Sequence, residues 1–146
     1  MACLAQTTDF KTCAVGEGEK NPDGKSLIYL FDMEHNKLTS TLVFHEHGVQ
    51  CLKFASVNNN HYLISVASKR ENSLVVWDYQ QGLPMNSILL PSHSTNQIVI
   101  GLNQNNEEAD TFEFFAVGSK GFFAFFLFDG ESSELKSAEG NLSKYP

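Results

Sequence analysis

Apolar residues in this chain come in short runs, and polar turn residues separate them. The runs occupy residues 11–15, 27–31, 38–44, 49–54, 62–67, 74–79, 88–90, 98–102, 112–117 and 122–128. Most are rich in β-branched and aromatic side chains, and Asn, Gly, Asp, Ser and Pro punctuate them, as in Asn21-Pro22-Asp23-Gly24. Such spacing predicts a many-stranded antiparallel β protein. No long segment keeps a helical i, i+3, i+4, i+7 rhythm. The best helix candidate, residues 132–142, is too polar and carries Gly140. Leu74-Val75-Val76-Trp77 is apolar without alternation. A strand covered on one face alternates, so this run predicts a sheet buried on both faces.

The chain also repeats itself. Three predicted strands end in an aromatic residue followed by Asp: Phe31-Asp32, Trp77-Asp78 and Phe128-Asp129. The aromatics stand 46 (77 minus 31) and 51 (128 minus 77) residues apart. The polar insertion at residues 103–110 accounts for the longer third unit. Self-similarity at such a period marks a repeat architecture. The middle unit is the fullest, with His45 before its first strand, Ser65 late in its second and Trp77-Asp78 closing its third. Gln81-Gly82 then turns the chain into an outer strand near residues 87–90.

That middle unit resembles a WD40 repeat, whose period is roughly 40–45 residues. The phrases CAVGEGEKNPDGKSLIYLFD, HEHGVQCLKF, YLISVASKRENSLVVWDY and FFAVGSKGFFAFFLFD are similar to the WD repeats of microtubule- and cilium-associated proteins. The EML family and the ciliary and flagellar WD-repeat proteins share this wording, over most of residues 11–129. The resemblance implies an all-β, partial WD40 β-propeller of about three four-stranded antiparallel blades, not closed on its own. Blade 1 is expected at residues 1–44, blade 2 at 45–92 and blade 3 at 93–136, with a tail at 137–146. A closed propeller takes about four to eight blades. The three are therefore expected to belong to a larger ring, or to be covered by a partner chain.

The resemblance also implies a buried network of His45, Ser65, the Trp77 indole and an acidic turn residue, with Asp78 completing the Trp-Asp pair. Glu71 stands nearest the acidic position, in place of the usual Asp and in a loop that reads one residue long. Phe44 replaces the Gly that normally precedes the His. In the outer units Phe occupies the Trp slot and lacks the N–H. In the third unit Phe125 or Phe126 competes with Phe128 for that slot.

The function implied is a non-catalytic protein–protein interaction scaffold in a ciliary, axonemal or microtubule-associated assembly. The alternative is a general cytosolic adaptor, such as a substrate receptor in another complex. Expected partners are other proteins, tubulin or axonemal proteins among them, and the remaining blades. Binding is assigned to the loops at residues 17–25, at 69–72 with Lys69 and Arg70, and at 103–110 with Glu107 and Glu108. The expected location is the cytoplasm and cytoskeleton, in the axoneme of a cilium or flagellum.

Composition narrows the picture further. The formal net charge is −7, which opposes binding to nucleic acid or an anionic membrane. Phe occurs 12 times against a single Trp, a usage that favours sheet. Cys3, Cys13 and Cys51 are odd in number and lack Cys-x-x-Cys spacing, as expected of reduced structural thiols. No apolar run is long enough for a membrane helix, and residues 1–10 do not read as a secretory signal. Asn141-Leu142-Ser143 fits the glycosylation pattern and is read as chance.

Candidate chemistry is sparse, and no cofactor or metal is expected. Gly24-Lys25-Ser26 resembles the end of a P-loop, but Glu19 stands where the leading Gly belongs, and a strand follows instead of a helix. His45, His47, His61 and His93 lack the neighbouring ligands of a metal site. The acidic loop with Glu107, Glu108 and Asp110 is read as solvated. Residues 122–128 are read as a strand buried between blades, with a hydrophobic docking site or the exposed surface of a truncated arc as the alternative.

Overall fold

The computed structural model describes residues 3–18, 25–57, 59–68, 71–90, 98–102, 110–118 and 121–141, with backbone alone for 139–141. Twelve strands form three separate four-stranded sheets. The first holds β1 (Cys3–Gln6), β2 (Thr12–Gly16), β3 (Leu27–Asp32) and β4 (Lys37–Val43). The second holds β5 (Val49–Val57), β6 (Asn60–Ala67), β7 (Ser73–Asp78) and β8 (Leu83–Leu89). The third holds β9 (Val99–Leu102), β10 (Thr111–Val117), β11 (Phe122–Asp129) and β12 (Glu134–Asn141). Each sheet is an antiparallel meander in chain order. The described residues contain no α-helix, and the first strands, β1, β5 and β9, pack side by side.

Local chemistry sets the reversals. Asn36 and Asn59 take left-handed backbone (φ 50° and 66°), which Asn tolerates better than most residues, and each closes a hairpin. Gly82 does the same between β7 and β8 at φ 73°. The three aromatic–Asp pairs occupy equivalent places, because Asp32, Asp78 and Asp129 are the last residues of β3, β7 and β11. The repeat read from the sequence is thus a repeat of sheet position. The first two sheets also share a register shift at this point, between Leu30 and Phe31 and between Val76 and Trp77.

Two apolar cores hold the sheets together. Ala14, Ile28, Leu30 and Leu42 of the first sheet meet Leu52, Leu63, Val75 and Trp77 of the second. Ile64, Val66, Leu74 and Val76 of the second meet Phe112, Phe114, Phe126 and Phe128 of the third. Successive side chains of a strand point to opposite faces, so β7 feeds Leu74 and Val76 to one core and Val75 and Trp77 to the other. This is why Leu74-Val75-Val76-Trp77 shows no alternation: the second sheet lies between two others.

The strand expected to open the last ten or so residues, ahead of a loose tail, is β12, which runs Glu134–Asn141, starts before residue 137 and pairs with β11 along its length. Two expectations are corrected here. The outer strand placed near residues 87–90 starts earlier, at Leu83, and carries Pro84. An outermost strand accommodates Pro because one row of its backbone groups has no ladder partner. Residues 122–128 are covered on one face only. Phe122, Phe126 and Phe128 are buried, whereas Phe125 is 57% exposed.

Candidate functional site: the polar network and the loop ends

The second sheet encloses one chain of polar side chains. Trp77 Nε1 donates to Ser65 Oγ at 2.8 Å, and Ser65 Oγ lies 2.7 Å from His45 Nε2. His45 Nδ1 bonds Glu71 Oε2 and lies 3.1 Å from Ser73 Oγ. Glu71 also accepts the Ser73 hydroxyl and the backbone N–H of Glu46. An indole only donates and a carboxylate only accepts, so the hydrogens run one way. Indole N–H points to Ser65, the Ser65 hydroxyl to Nε2, and Nδ1–H to Glu71. Burial opposes the Glu71 charge, but the bonds from His45, Ser73 and the Glu46 N–H outweigh it and hold the carboxyl at about 2.

His45, Ser65, Ser73 and Trp77 are all buried, so an unpaired member costs roughly 1–3 kcal/mol. The arrangement is chemically closed: each polar atom is consumed by its neighbour. The structure brings together His45, Ser65, Glu71 and Trp77. It does not bring in Asp78, which ends β7 and accepts the Gln81 N–H at 3.2 Å in the following turn. An Asp at a strand end caps its turn, which is what Asp32 and Asp129 also do. Ser73 was missed by the sequence reading. Its signal was a Ser opening an otherwise apolar strand, two residues after Glu71. Phe44, in the place of the usual Gly, sets its ring edge-on to both His45 and Trp77, with centroids 5.5 and 6.2 Å away.

The outer sheets solve the same position differently. The pairing Leu63↔Trp77 corresponds to Cys13↔Phe31 and Phe112↔Phe128. Phe128 therefore holds the Trp slot in the third sheet, while Phe125 points to the opposite face. Ser65 is replaced there by Phe114, which stacks on Phe126 at 4.8 Å and 9°. In the first sheet Val15 replaces Ser65. Glu17 there accepts the Leu27 N–H (2.9 Å) and the Tyr29 hydroxyl (2.6 Å).

Polar links also fasten sheet to sheet. The Gly48 N–H donates to Ser26 Oγ at 2.8 Å, and Val49 N–H donates to the Glu17 carbonyl at 2.8 Å. Gln50 donates to the Ala67 carbonyl at 2.8 Å and accepts the Ile98 N–H at 3.3 Å. The Tyr62 hydroxyl donates to Asp110 at 3.1 Å. Burial and then the Asp110 carboxylate push the phenol's pKa up, so it stays a donor.

Of the expected binding loops, Lys69, Arg70, Glu107 and Glu108 lie outside the described residues, as does His93. In the loop at 17–25, Glu17 is committed inward, and Lys25 Nζ lies 4.0 Å from Glu46. Ser26 of the P-loop-like triplet is buried and leads directly into β3. His61 Nδ1 lies 2.9 Å from Ser56 Oγ. Among the described residues, Asp32, Glu34 and His35 bring ligand atoms together at the surface. There the Asp32 carboxylate caps the turn, accepting the Glu34 and His35 N–H groups and meeting His35 Nδ1 at 2.8 Å. The three cysteines are free thiols. No helix of the described residues is long and apolar enough to cross a membrane.

Three four-stranded meanders stacked face to face, first strands together, define an open arc of a WD40 β-propeller. Solved WD40 structures superpose on it. The C-terminal WD40 domain of Sif2 matches with a TM-score of 0.64 at 19% identity, covering 96% of this chain and 34% of that one. The β-propeller domain of Cps50 (Swd1) from Myceliophteria thermophila gives 0.63 at 16% identity, covering 99% and 40%. A chain of a Mitotic Checkpoint Complex gives 0.63 at 15% identity, covering 96% and 40%. The chain thus spans between about a third and two fifths of the length of these relatives. No protein-family profile and no curated protein sequence matches it.

Proposed function

We propose that the chain is a non-catalytic protein–protein interaction scaffold, serving a ciliary, axonemal or microtubule-associated assembly in the cytoplasm and cytoskeleton. The observation that carries the scaffold reading is the closed network. The residues most like catalytic machinery, His45, Ser65, Glu71 and Ser73, are spent on one another inside a blade. What is left for function is surface, and the open apolar face of the third sheet calls for further blades or a partner. The ciliary or microtubule branch is supported by the sequence phrases over residues 11–129. Tubulin, axonemal proteins and the remaining blades are the partners this reading names.

The test is co-sedimentation with microtubules or isolated axonemes at about 0.15 M salt, where long-range surface charge is screened. Retention in the pellet is expected. A chain that stays in the supernatant and spreads evenly through the cytosol sinks the branch. The general adaptor reading draws on the structural neighbours, one of which is a chain of a Mitotic Checkpoint Complex. It gains if affinity capture returns a soluble complex without tubulin.

A further inference from the structure

The meander sends its connections to two opposite ends of the arc. The β1–β2, β5–β6 and β7–β8 turns share one end, while the β2–β3 and β6–β7 turns share the other. At the first end a cleft of about 780 Å³ opens between the first and second sheets, with Leu102 of β9 at its side. That is within the range of about 300–1,000 Å³ typical of ligand sites. Its floor is apolar and fixed: the Phe54 and Tyr79 rings meet edge-on at 5.0 Å. Leu4, on the wall from β1, is 67% exposed.

Among the described lining residues the cationic groups are Lys11 and Lys53, with the His61 imidazole beside them, and the carboxylate is that of Asp9. Asp9 and Asp78 both bear on the Tyr79 phenol of the floor, whose pKa burial and then these carboxylates push up. Asp9 is already engaged, accepting the Thr7 hydroxyl at 2.6 Å and the Lys11 backbone N–H at 3.0 Å. These bonds set the β1–β2 turn, in which Phe10 takes φ 61°, unusual for a bulky residue. Lys53 has no ion-pair partner among the described residues. Lys11 is 3.7 Å from Glu34, in a pair more than half exposed and so weakly held. His61 lines the cleft with its Nδ1 2.9 Å from Ser56 Oγ.

We propose that this cleft receives an extended acidic peptide segment of a protein partner. An aliphatic side chain of the segment lies over Leu4, Phe54 and Tyr79, and its carboxylates face Lys53 and Lys11. The complementarity is local: two ammonium groups and an imidazole surround an apolar floor on a chain of net charge −7. That distribution steers an acidic segment to one end of the arc. A nucleic acid, which needs many phosphates neutralised at once, finds too few cations here.

The assignment rests on the scaffold reading but not on the choice of assembly. The probe is a fluorescein-labelled hexapeptide of alternating Glu and Leu, measured by anisotropy. The Gln–Leu and Lys–Leu peptides and a thymidine oligonucleotide serve as comparisons. The Glu–Leu peptide is expected to bind at least about tenfold more tightly than the other three. Lys53→Glu combined with Lys11→Glu weakens it by at least about tenfold, and Leu4→Ser weakens it less. Lys136→Glu, on β12 of the third sheet and away from the cleft, leaves it unchanged, and Trp77 emission reports that each variant is folded. Equal binding of the Glu and Gln peptides, or of the oligonucleotide, overturns the proposal, as does a charge-reversed double variant that binds normally. Peptide failure with successful co-sedimentation removes this cleft alone; the reverse removes the microtubule branch alone.

Discussion

Phe114 lies flat on Phe126, 4.8 Å away, at the position where the neighbouring sheet sets Ser65 opposite Val75. One structural slot thus holds a dispersion contact in one blade and a hydrogen-bond relay in the next. The two solutions fail differently. A stacked pair loses packing in proportion to what is removed, whereas a relay strands its remaining polar atoms.

Ser65→Ala tests the relay. It leaves the Trp77 N–H and His45 Nε2 without their shared partner, both buried. A loss of roughly 1–3 kcal/mol is expected in urea unfolding followed by Trp77 fluorescence. The chain has only one Trp, so the signal reports this blade directly. An unchanged midpoint would show that the relay contributes nothing.

Glu71→Gln tests the charge. The Glu71 carboxyl is held at about 2, below its ordinary 4.5, so folding favours the ionised form. Its contribution is complete above about pH 4.5 and drains away as pH falls toward 2. The parent chain is therefore more stable than the Gln variant at neutral pH, and the gap closes through that window. Parallel stability curves between pH 5 and 2 would contradict this.

Gly130→Ala probes the seam between the second and third sheets. A Cβ at residue 130 would press against the Tyr62 hydroxyl and the Asp110 carboxylate. The neighbours must shift, and a cost of about 1–3 kcal/mol is expected. Tyr62→Phe removes one of the obstructing atoms, so the double variant loses less than the sum of the singles. Strict additivity in a double-mutant cycle would argue against the contact.

Adjacent residues on β11 give the sharpest contrast in the third sheet. Phe126→Ala removes a ring that is 2% exposed and is expected to cost about 3–5 kcal/mol. Phe125→Ser, on the open face, stays within about 0.5 kcal/mol in the chain alone. In the presence of further blades or a covering partner, the same Ser substitution weakens association. Equal thermal shifts for the two variants would mean that the face is not open in solution.

Sequence patterning revealed the strands because turn chemistry and β-branched runs are local properties. The repeat was legible for the same reason, since each aromatic–Asp pair ends a strand and the Asp caps its own turn. Glu71 was recognisable because the tight turn offers few acidic side chains. Ser73 was not, because a hydroxyl at a strand entrance looks like ordinary turn composition until β6 and β7 pair. Asp78 was misplaced for the opposite reason: its neighbour Trp77 joins the network, but adjacent residues on a strand face opposite ways. The basic rim of the cleft was invisible in the chain order. Lys11, Lys53 and His61 become neighbours only when the first and second sheets stack.

The two-sided burial of β7 has a consequence for how the chain finds its pairing. A strand with one wet face announces its register, because a slip by one residue drives its apolar side chains into water. Leu74-Val75-Val76 gives no such warning, since both of its faces are oily and a slipped strand would still be dry. What tells the two faces apart is the indole N–H of Trp77, which finds an acceptor on only one of them. The polar relay thus acts as an alignment key, worth more for the errors it forbids than for the few kilocalories it adds.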